Sequence, residues 1–374
     1  MSQRLEPLMQ FEFFPSRTVT LYIGRMFAVR IIAVLLMLVL VLQMLDLLSE
    51  SGRILAAPGN GQGELMTYVG LRVPQLVSRF LPYSVLLATI ITLMTLNQNS
   101  EVIALKAAGL SAHQVLAPLF LVAAVTALLT FGFTERVVTR STATLKAWQA
   151  VDYGPIPRDS AVKTNVWLQD GTNILFARAV EGRGAAMRMS DVSWYRRDPG
   201  GMVVEIVRAP SATYASPGWH FEKPTGFDVQ SARRTIYPAA QTFAKAVDPG
   251  QVIIRKADAD GESLAQLTES INAIRAAGYR TSELEGKWWH KISGPLSALL
   301  MPLLGAVAAF GLARSGLLFV RAVIGMALGF AYFVVDNAAL AMGNFGGYPP
   351  MLAAWAPFFL FLLIGETVLV RTEE

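Results

Sequence analysis

MFAVRIIAVLLMLVLVLQMLDLL, residues 26–48, decides the fold. A helix needs roughly 20 mostly apolar residues to cross a bilayer, and this stretch holds only Arg30 and Asp46 as charges. It is too long for the apolar region of a cleavable signal peptide, and no small-residue cleavage site follows closely. The stretch reads as a first transmembrane helix.

Five further stretches repeat the pattern: Leu76–Leu96, Val115–Phe133, Ile292–Leu312, Leu317–Ala341 and Met351–Val370. Pro74, Arg79 and Pro82 predict an interfacial or kinked start to the second. Composition agrees. Of 374 residues, 53% are hydrophobic and 16% charged, against about a quarter charged in soluble domains. The polar residues crowd into Thr134–Lys287. The expected fold is an α-helical membrane protein of six transmembrane helices with an inserted all-β domain. Residues 1–133 would hold spans one to three and a cytoplasmic helix near 99–109. Residues 134–287 would form the β domain with a short helix near 263–277, and 288–374 spans four to six.

Lysine and arginine in short loops set the orientation. Arg4, Arg17, Arg25, Arg30, Lys106, Arg314, Arg321 and Arg371 fall on one side, and the loop Met342–Pro350 on the other has neither residue. Arg53, Arg72 and Arg79 in the first outer loop run against the trend. The balance places both termini in the cytoplasm and the large domain outside, which is the periplasm in a Gram-negative cell.

That domain reads as strands at Val162–Leu168, Asn173–Val180, Met187–Tyr195, Met202–Arg208, Gly218–Phe221 and Phe227–Tyr237. The first two flank Asp170–Gly171, a hairpin signal. Short strands at this spacing suggest a sandwich, jellyroll or curved open sheet. Ser263 and Gln266 form a capping-box pattern ahead of the stripe Leu264, Leu267, Ile271 and Ile274, and Gly278 suits the helix stop.

Several chemistries are missing. The phosphate loop GxxxxGK followed by Ser or Thr does not occur, so the chain does not read as its own ATPase. There is no HExxH and no GxSxG. His113, His220 and His290 lie far apart and read as surface or interfacial histidines rather than a metal site or triad. The run Gly59–Gly63 follows no strand and reads as a loop tip. The absence of cysteine excludes disulfides, thiolate metal sites and cysteine nucleophiles. The net charge of +5 is dispersed, which argues against nucleic acid as a partner.

The loop Asn97–Ser111 between spans two and three is more informative. Asn99 or Ser100 can cap a helix that opens with Glu101 and ends at Gly109. Its apolar members Ile103 and Leu105 need cover. That cover is either a groove of a separate ATPase or the lipid interface; residue physics alone favours lipid. Asp46, Asp336 and Glu366 lie near the ends of spans, where a structural role outweighs transport. Asp46 and Asp336 remain the candidates for a gate. No ladder of acids crosses the membrane to support a proton relay.

Four stretches together resemble the LptF/LptG permease family of the lipopolysaccharide exporter. They are NQNSEVIALKAAGLSAHQV (Asn97–Val115), VWLQDGTNILFARAV (Val166–Val180), LEGKWWHKISGPLSALLM (Leu284–Met301) and FVVDNAALAMGNFGGYPPMLAAWAP (Phe333–Pro357). The last two are nearer the LptG branch. The resemblance implies a heterodimer with an LptF-like permease, each carrying a periplasmic jellyroll. It further implies two copies of an LptB-like ATPase, which supply ATP and Mg, an LptC-like single-span protein and a periplasmic jellyroll bridge protein. This chain would be non-catalytic and hold no cofactor or metal. The complex would extract lipopolysaccharide from the outer leaflet of the inner membrane. Glu101, Ile103, Leu105 and Gly109 would then couple to the ATPase. Val166, Leu168, Ile174 and Phe176, which alternate along their strands, would line the acyl groove. Family members carry basic residues around the acid at the outer end of span one; here those positions are Gln43, Ser49 and Glu50. Arg53, Arg72, Arg79 and Arg136 are the remaining candidates for the lipid head group, with membrane anchoring as the alternative. The rival functions are a force-transmitting permease that carries no lipid, a membrane-bound enzyme and a passive assembly scaffold.

Overall fold

The computed structural model describes residues 14–155, 163–182, 186–238, 240–247, 258–276, 280–310 and 318–373. It divides into a helical unit, drawn from residues 1–43, 76–134 and 285–374, and a sheet-containing unit, drawn from 44–75 and 135–284.

The long helices are α1 (Arg17–Ala56), α2 (Gln62–Gln98) and α4 (Ala112–Phe133), with the short α3 (Glu101–Ala107) between the last two. After the sheet come α7 (Ser282–Phe310), α8 (Leu318–Asn344) and α9 (Pro350–Glu373). Among the described residues, five helices are long and apolar enough to cross a membrane. The expected fourth span falls on α7, described as far as Phe310; Gly311–Leu317, with Arg314, lies outside the described residues. Pro74 and Pro82 sit within α2 without ending it. The expected outer loop after span one is mostly helix, since only 57–61 separates α1 from α2.

The helical unit packs by close approach. Ile23, Phe27 and Ile31 of α1 join Val85, Leu86 and Leu93 of α2 and Leu116 and Leu119 of α4 in one core. A Cβ at Gly329 would meet Leu86 at 2.1 Å, and one at Gly365 would meet Leu303 at 2.6 Å. Small residues at such crossings let helices pack where lipid offers no hydrophobic driving force. Hydroxyls turn inward on their own helices: Thr89 donates to the Val85 carbonyl at 2.8 Å and Ser84 to Phe80 at 2.9 Å.

The inserted sheet is accompanied by helices, one more than the sequence predicts. The chain stays helical beyond α4, through a π-helical turn at Thr134–Val138 and α5 (Thr139–Ala150), before β1 begins at Lys163. A second helix, α6 (Leu264–Ala276), starts at the expected capping box. The Gln266 N–H donates to Ser263 Oγ at 3.3 Å, and Gln266 Oε1 accepts from the Ser263 N–H at 3.0 Å. Glu135 adds a third acceptor for this helix end, 2.8 Å from the Leu264 N–H. Leu267, Ile271 and Ile274 are buried as the stripe requires; Gly278 lies outside the described residues.

The described strands are β1 (Lys163–Asp170), β2 (Asn173–Glu181), β3 (Arg188–Arg197), β4 (Val203–Tyr214), β5 (Trp219–Glu222), β6 (Thr225–Asp228), β7 (Arg233–Ile236) and β8 (Ala240–Phe243). They form one antiparallel sheet in the order β1-β2-β3-β4-β5-β8, and a β6–β7 hairpin pairs with β4. The β1–β2 loop is Gly171–Thr172, with Asp170 still paired to Asn173 and Gly171 at φ 62°. Only glycine adopts that conformation freely. The single strand expected at Phe227–Tyr237 is the β6–β7 hairpin, turning at 229–232 with Ala232 at φ 54°. No Gly or Pro marks that turn, which is why the pattern read straight through it.

Candidate functional site

Glu101 opens α3 as expected, but Ser100 provides no side-chain cap: its backbone is left-handed (φ 58°). The Glu101 carboxylate instead accepts from Asn99 Nδ2 at 3.2 Å and from the Tyr22 hydroxyl of α1 at 3.3 Å. Gly109 closes the loop at φ 90°, a backbone only glycine takes without strain. Val102 is buried and Leu105 half-buried against the helical core, whereas Ile103 is 64% exposed. Of the two apolar side chains expected to need cover, only Ile103 is left without it. Ser111 and Gln114 then cap α4 reciprocally at 3.2 and 3.0 Å, a box the sequence reading passed over.

The C-terminal part of α1 carries two acids, Asp46 and Glu50, that meet phenols and arginines within the sheet-containing unit. Arg72 forks onto Asp46, Nε–Oδ2 3.1 Å and Nη2–Oδ1 3.0 Å, and Tyr68 donates to the same carboxylate. One turn on, Glu50 accepts from Tyr153 at 2.8 Å and from Arg53 at 3.3 Å. Arg53 also lies 3.7 Å from Asp152 and 5.6 Å from the Tyr153 ring centroid. Left-handed backbone at Asp152 and Tyr153 (φ 48° and 58°) folds the tyrosine back on Trp148. Burial, above all, pushes the Tyr153 phenol up, with Glu50 adding to it. So two of the four candidate arginines are already occupied by acids. Arg79, in the helical unit, and Arg136, on the π-helical turn, are exposed and make no ion pair among the described residues.

Asp336 is 6% exposed and meets His290 Nε2 at 3.0 Å. His290, read from sequence as a bland interfacial residue, is thus the partner of a buried acid. His113 likewise meets Glu366 at 3.2 Å. Both pairs join residues distant in sequence, so spacing gave no signal for either.

The four acyl-groove candidates do not share a surface. Val166 faces Ala177 and Leu168 faces Leu175, whereas Trp167 faces Phe176 and Gln169 faces Ile174. Val166 and Leu168 therefore point into the buried core with Met189, Val207, Trp219 and Phe221. Ile174 and Phe176 point the other way, because antiparallel partners share a face. Two polar groups inside are paired: Asp170 accepts from Trp194 Nε1 and the Ala246 N–H, each at 2.9 Å, and Trp219 Nε1 donates to the Val247 carbonyl at 3.1 Å. Tyr237 donates to Glu205, and burial together with that carboxylate pushes the phenol up to about 12.

Long apolar helices, an antiparallel sheet inserted between them and a short helix joining two spans define a multi-pass membrane permease with an inserted β domain. The chain belongs to the family described as lipopolysaccharide export system permease LptF/LptG, which it matches over residues 21–371. It is 26% identical to the lipopolysaccharide export system permease protein LptG of Escherichia coli K12 over 94% of this chain and 97% of that one. It is 24% identical to the protein of the same name from Haemophilus influenzae, over 83% and 87%. The family and the apolar helices make it a multi-pass protein of the inner membrane.

Proposed function

We propose that this chain is the LptG-type subunit of an ATP-driven exporter that takes lipopolysaccharide from the outer leaflet of the inner membrane and passes it to a periplasmic jellyroll bridge. ATP would be hydrolysed in two copies of an LptB-like ATPase. An LptF-like permease and an LptC-like single-span protein complete the assembly, with both termini of this chain cytoplasmic. The observation that carries the reading is α3. A seven-residue helix between two spans presents Glu101 at its start and an uncovered Ile103 two residues on, a combination suited to docking on a protein surface. Lipid-head phosphates would meet Arg79 and Arg136 first, since Arg53 and Arg72 are held by Glu50 and Asp46.

The test is Glu101→Lys. Reversing the charge puts a cation at the positive end of a helix and against the ATPase surface. ATPase co-purification and ATP-dependent lipid release should fall about tenfold, equivalent to roughly 1.4 kcal/mol, at unchanged abundance of the chain. Full co-purification would sink the coupling role. One observation favours the force-transmitting alternative: the sheet interior is filled, with Val166 and Leu168 each 2% exposed. A photoreactive residue at Leu168 decides between them. Crosslinking to lipid supports carriage; its absence during active ATP turnover supports force transmission.

A further inference from the structure

The outward face of the sheet has an organisation that acyl transfer does not require. Cross-strand pairing builds a row across it: Trp167 faces Phe176, Phe176 faces Ser193, Ser193 faces Arg208 and Arg208 faces Thr225. A neighbouring row runs from Ile174 through Tyr195 to Ile206 and Phe227. Three rings gather at one end. Trp167 lies 4.5 Å from Phe176 and stacks over Tyr195 at 6.0 Å, centroid to centroid. Trp167 is 50% exposed although it sits mid-strand.

Beside this ledge the sheet is dented. Ser190 pairs with Ser211 and Val192 with Ala209, and between these pairs stand Asp191 and Pro210. Pro210 has no N–H to give the ladder, and such residues are normally confined to edges or bulges. Asp191 takes a left-handed backbone at φ 52°, which costs about 1–2 kcal/mol in a non-glycine residue. The result is a concavity of about 490 Å³ lined by Phe176, Tyr195, Arg178, Asp191, Arg208 and Thr225 among others, within the roughly 300–1,000 Å³ of small-ligand sites. Asp191 holds Arg178 at 3.1 Å. Arg208, on the opposite wall, is exposed and makes no ion pair among the described residues. The hollow thus combines a half-buried aromatic floor of Phe176 and Tyr195, hydroxyls from Ser193 and Thr225, and one uncompensated guanidinium.

We infer that this outward hollow binds an acidic saccharide, with sugar rings stacked on Phe176, Tyr195 and Trp167 and a phosphate or carboxylate forked by Arg208. An aromatic face suits the C–H side of a sugar, and the guanidinium matches a planar or tetrahedral anion in a way that lysine does not. The inference rests on the reading above that the substrate is an amphipathic glycolipid. It adds that the sheet sorts the two halves of that molecule, acyl chains to the dry face and charged sugars to this one. Ion pairing alone would not call for the ledge, and a purely apolar contact would not call for Arg208.

The test uses the full chain in lipid nanodiscs and saturation-transfer NMR with three probes: the deacylated saccharide of lipopolysaccharide, neutral maltotetraose and inorganic phosphate. The deacylated saccharide should bind at least about fivefold tighter than either control, as a charge-assisted fork plus stacking requires. Trp167→Ala should weaken both saccharides about fivefold. Arg208→Ala should abolish the preference for charge, and Arg208→Lys should restore only part of it. Both positions are exposed, and abundance of each variant is measured alongside. Equal binding of neutral and charged sugars, phosphate binding as tightly as saccharide, or indifference to both alanine variants would overturn the inference. Photo-crosslinking from Leu168 runs in parallel. If it captures lipid while the saccharide fails to bind, only this inference falls. If it captures none while the saccharide binds, lipid carriage by the interior falls and the hollow stands.

Discussion

The two faces of β1 and β2 contrast sharply. Leu168 and Phe176 are both large and apolar, and both sit in alternating strands. Yet Leu168 is 2% exposed in a core with Leu175 and Val207, while Phe176 shares a face with Trp167, which is half exposed. Period-two alternation assigns residues to one face or the other but does not say which face is buried. That is decided by what lies opposite. The interior set meets Trp219, Phe221 and Phe243 from the far end of the sheet; the outward set meets Ser193, Arg208 and Thr225.

The largest test of this contrast is Leu168→Asp. It places a carboxylate among residues almost fully removed from water, with no partner designed for it. The cost is expected to exceed about 4 kcal/mol, enough to unfold a domain of ordinary stability. Full-length protein in the membrane should drop sharply, and proteolysis should clear the sheet. A stable Leu168→Asp protein would mean the interior is open to water, which would break the assignment of faces.

Asp170→Ala gives a smaller effect on the same face. The carboxylate accepts two interior donors, Trp194 Nε1 and the Ala246 N–H. Each donor left bare in a dry interior costs about 1–3 kcal/mol, so a loss of about 3 kcal/mol is expected. Asp170→Asn keeps one carbonyl acceptor and should lose less. Thermal unfolding of the three proteins side by side checks the order. If the asparagine variant is the least stable, the pairing of Asp170 is misassigned.

Much of this architecture was legible. The apolar runs gave the helices, and Asp170–Gly171 gave the first hairpin. Ser263 with Gln266 gave the start of α6, because a capping box is a local event written in four residues. What escaped depends on distance or on silent geometry. The partnership of His290 with Asp336 and the fork of Arg72 on Asp46 join residues far apart in the chain. The β6–β7 turn closes on Ala232 at φ 54° with no Gly or Pro to announce it, and is held by Asp228, which accepts from the Ser231 N–H at 2.7 Å. The run past Phe133 belongs to the sheet-containing unit, as its polarity suggested, but it enters that unit as helix, and polarity alone does not tell a helix from a strand. The acyl-groove candidates alternate along both strands, but the register splits them into two pairs on opposite faces, Val166 with Leu168 and Ile174 with Phe176, and alternation within a strand does not carry that register.

Phe176→Asp should have the smallest effect and is the sharpest probe of that separation. The ring is half-buried, and its main contact is Trp167 at 4.5 Å. Losing an aromatic pair on an exposed face costs about 1 kcal/mol. The new carboxylate stays within reach of water, so no desolvation penalty comparable to that at Leu168 arises. The variant should therefore keep its abundance and its unfolding temperature within a few degrees of the parent. Were Phe176 part of an acyl groove, the same change would stop lipid passage while leaving the fold intact. Because it lies on the outward face, whatever lipid crosslinking Leu168 gives in the parent should be unchanged in Phe176→Asp. Saccharide binding should weaken instead, since the substitution removes part of the aromatic floor and sets an acid beside Arg178 and Arg208. A folded Phe176→Asp protein that no longer crosslinks lipid at Leu168 would mean that the two faces are not separate surfaces, and the contrast between them would fail.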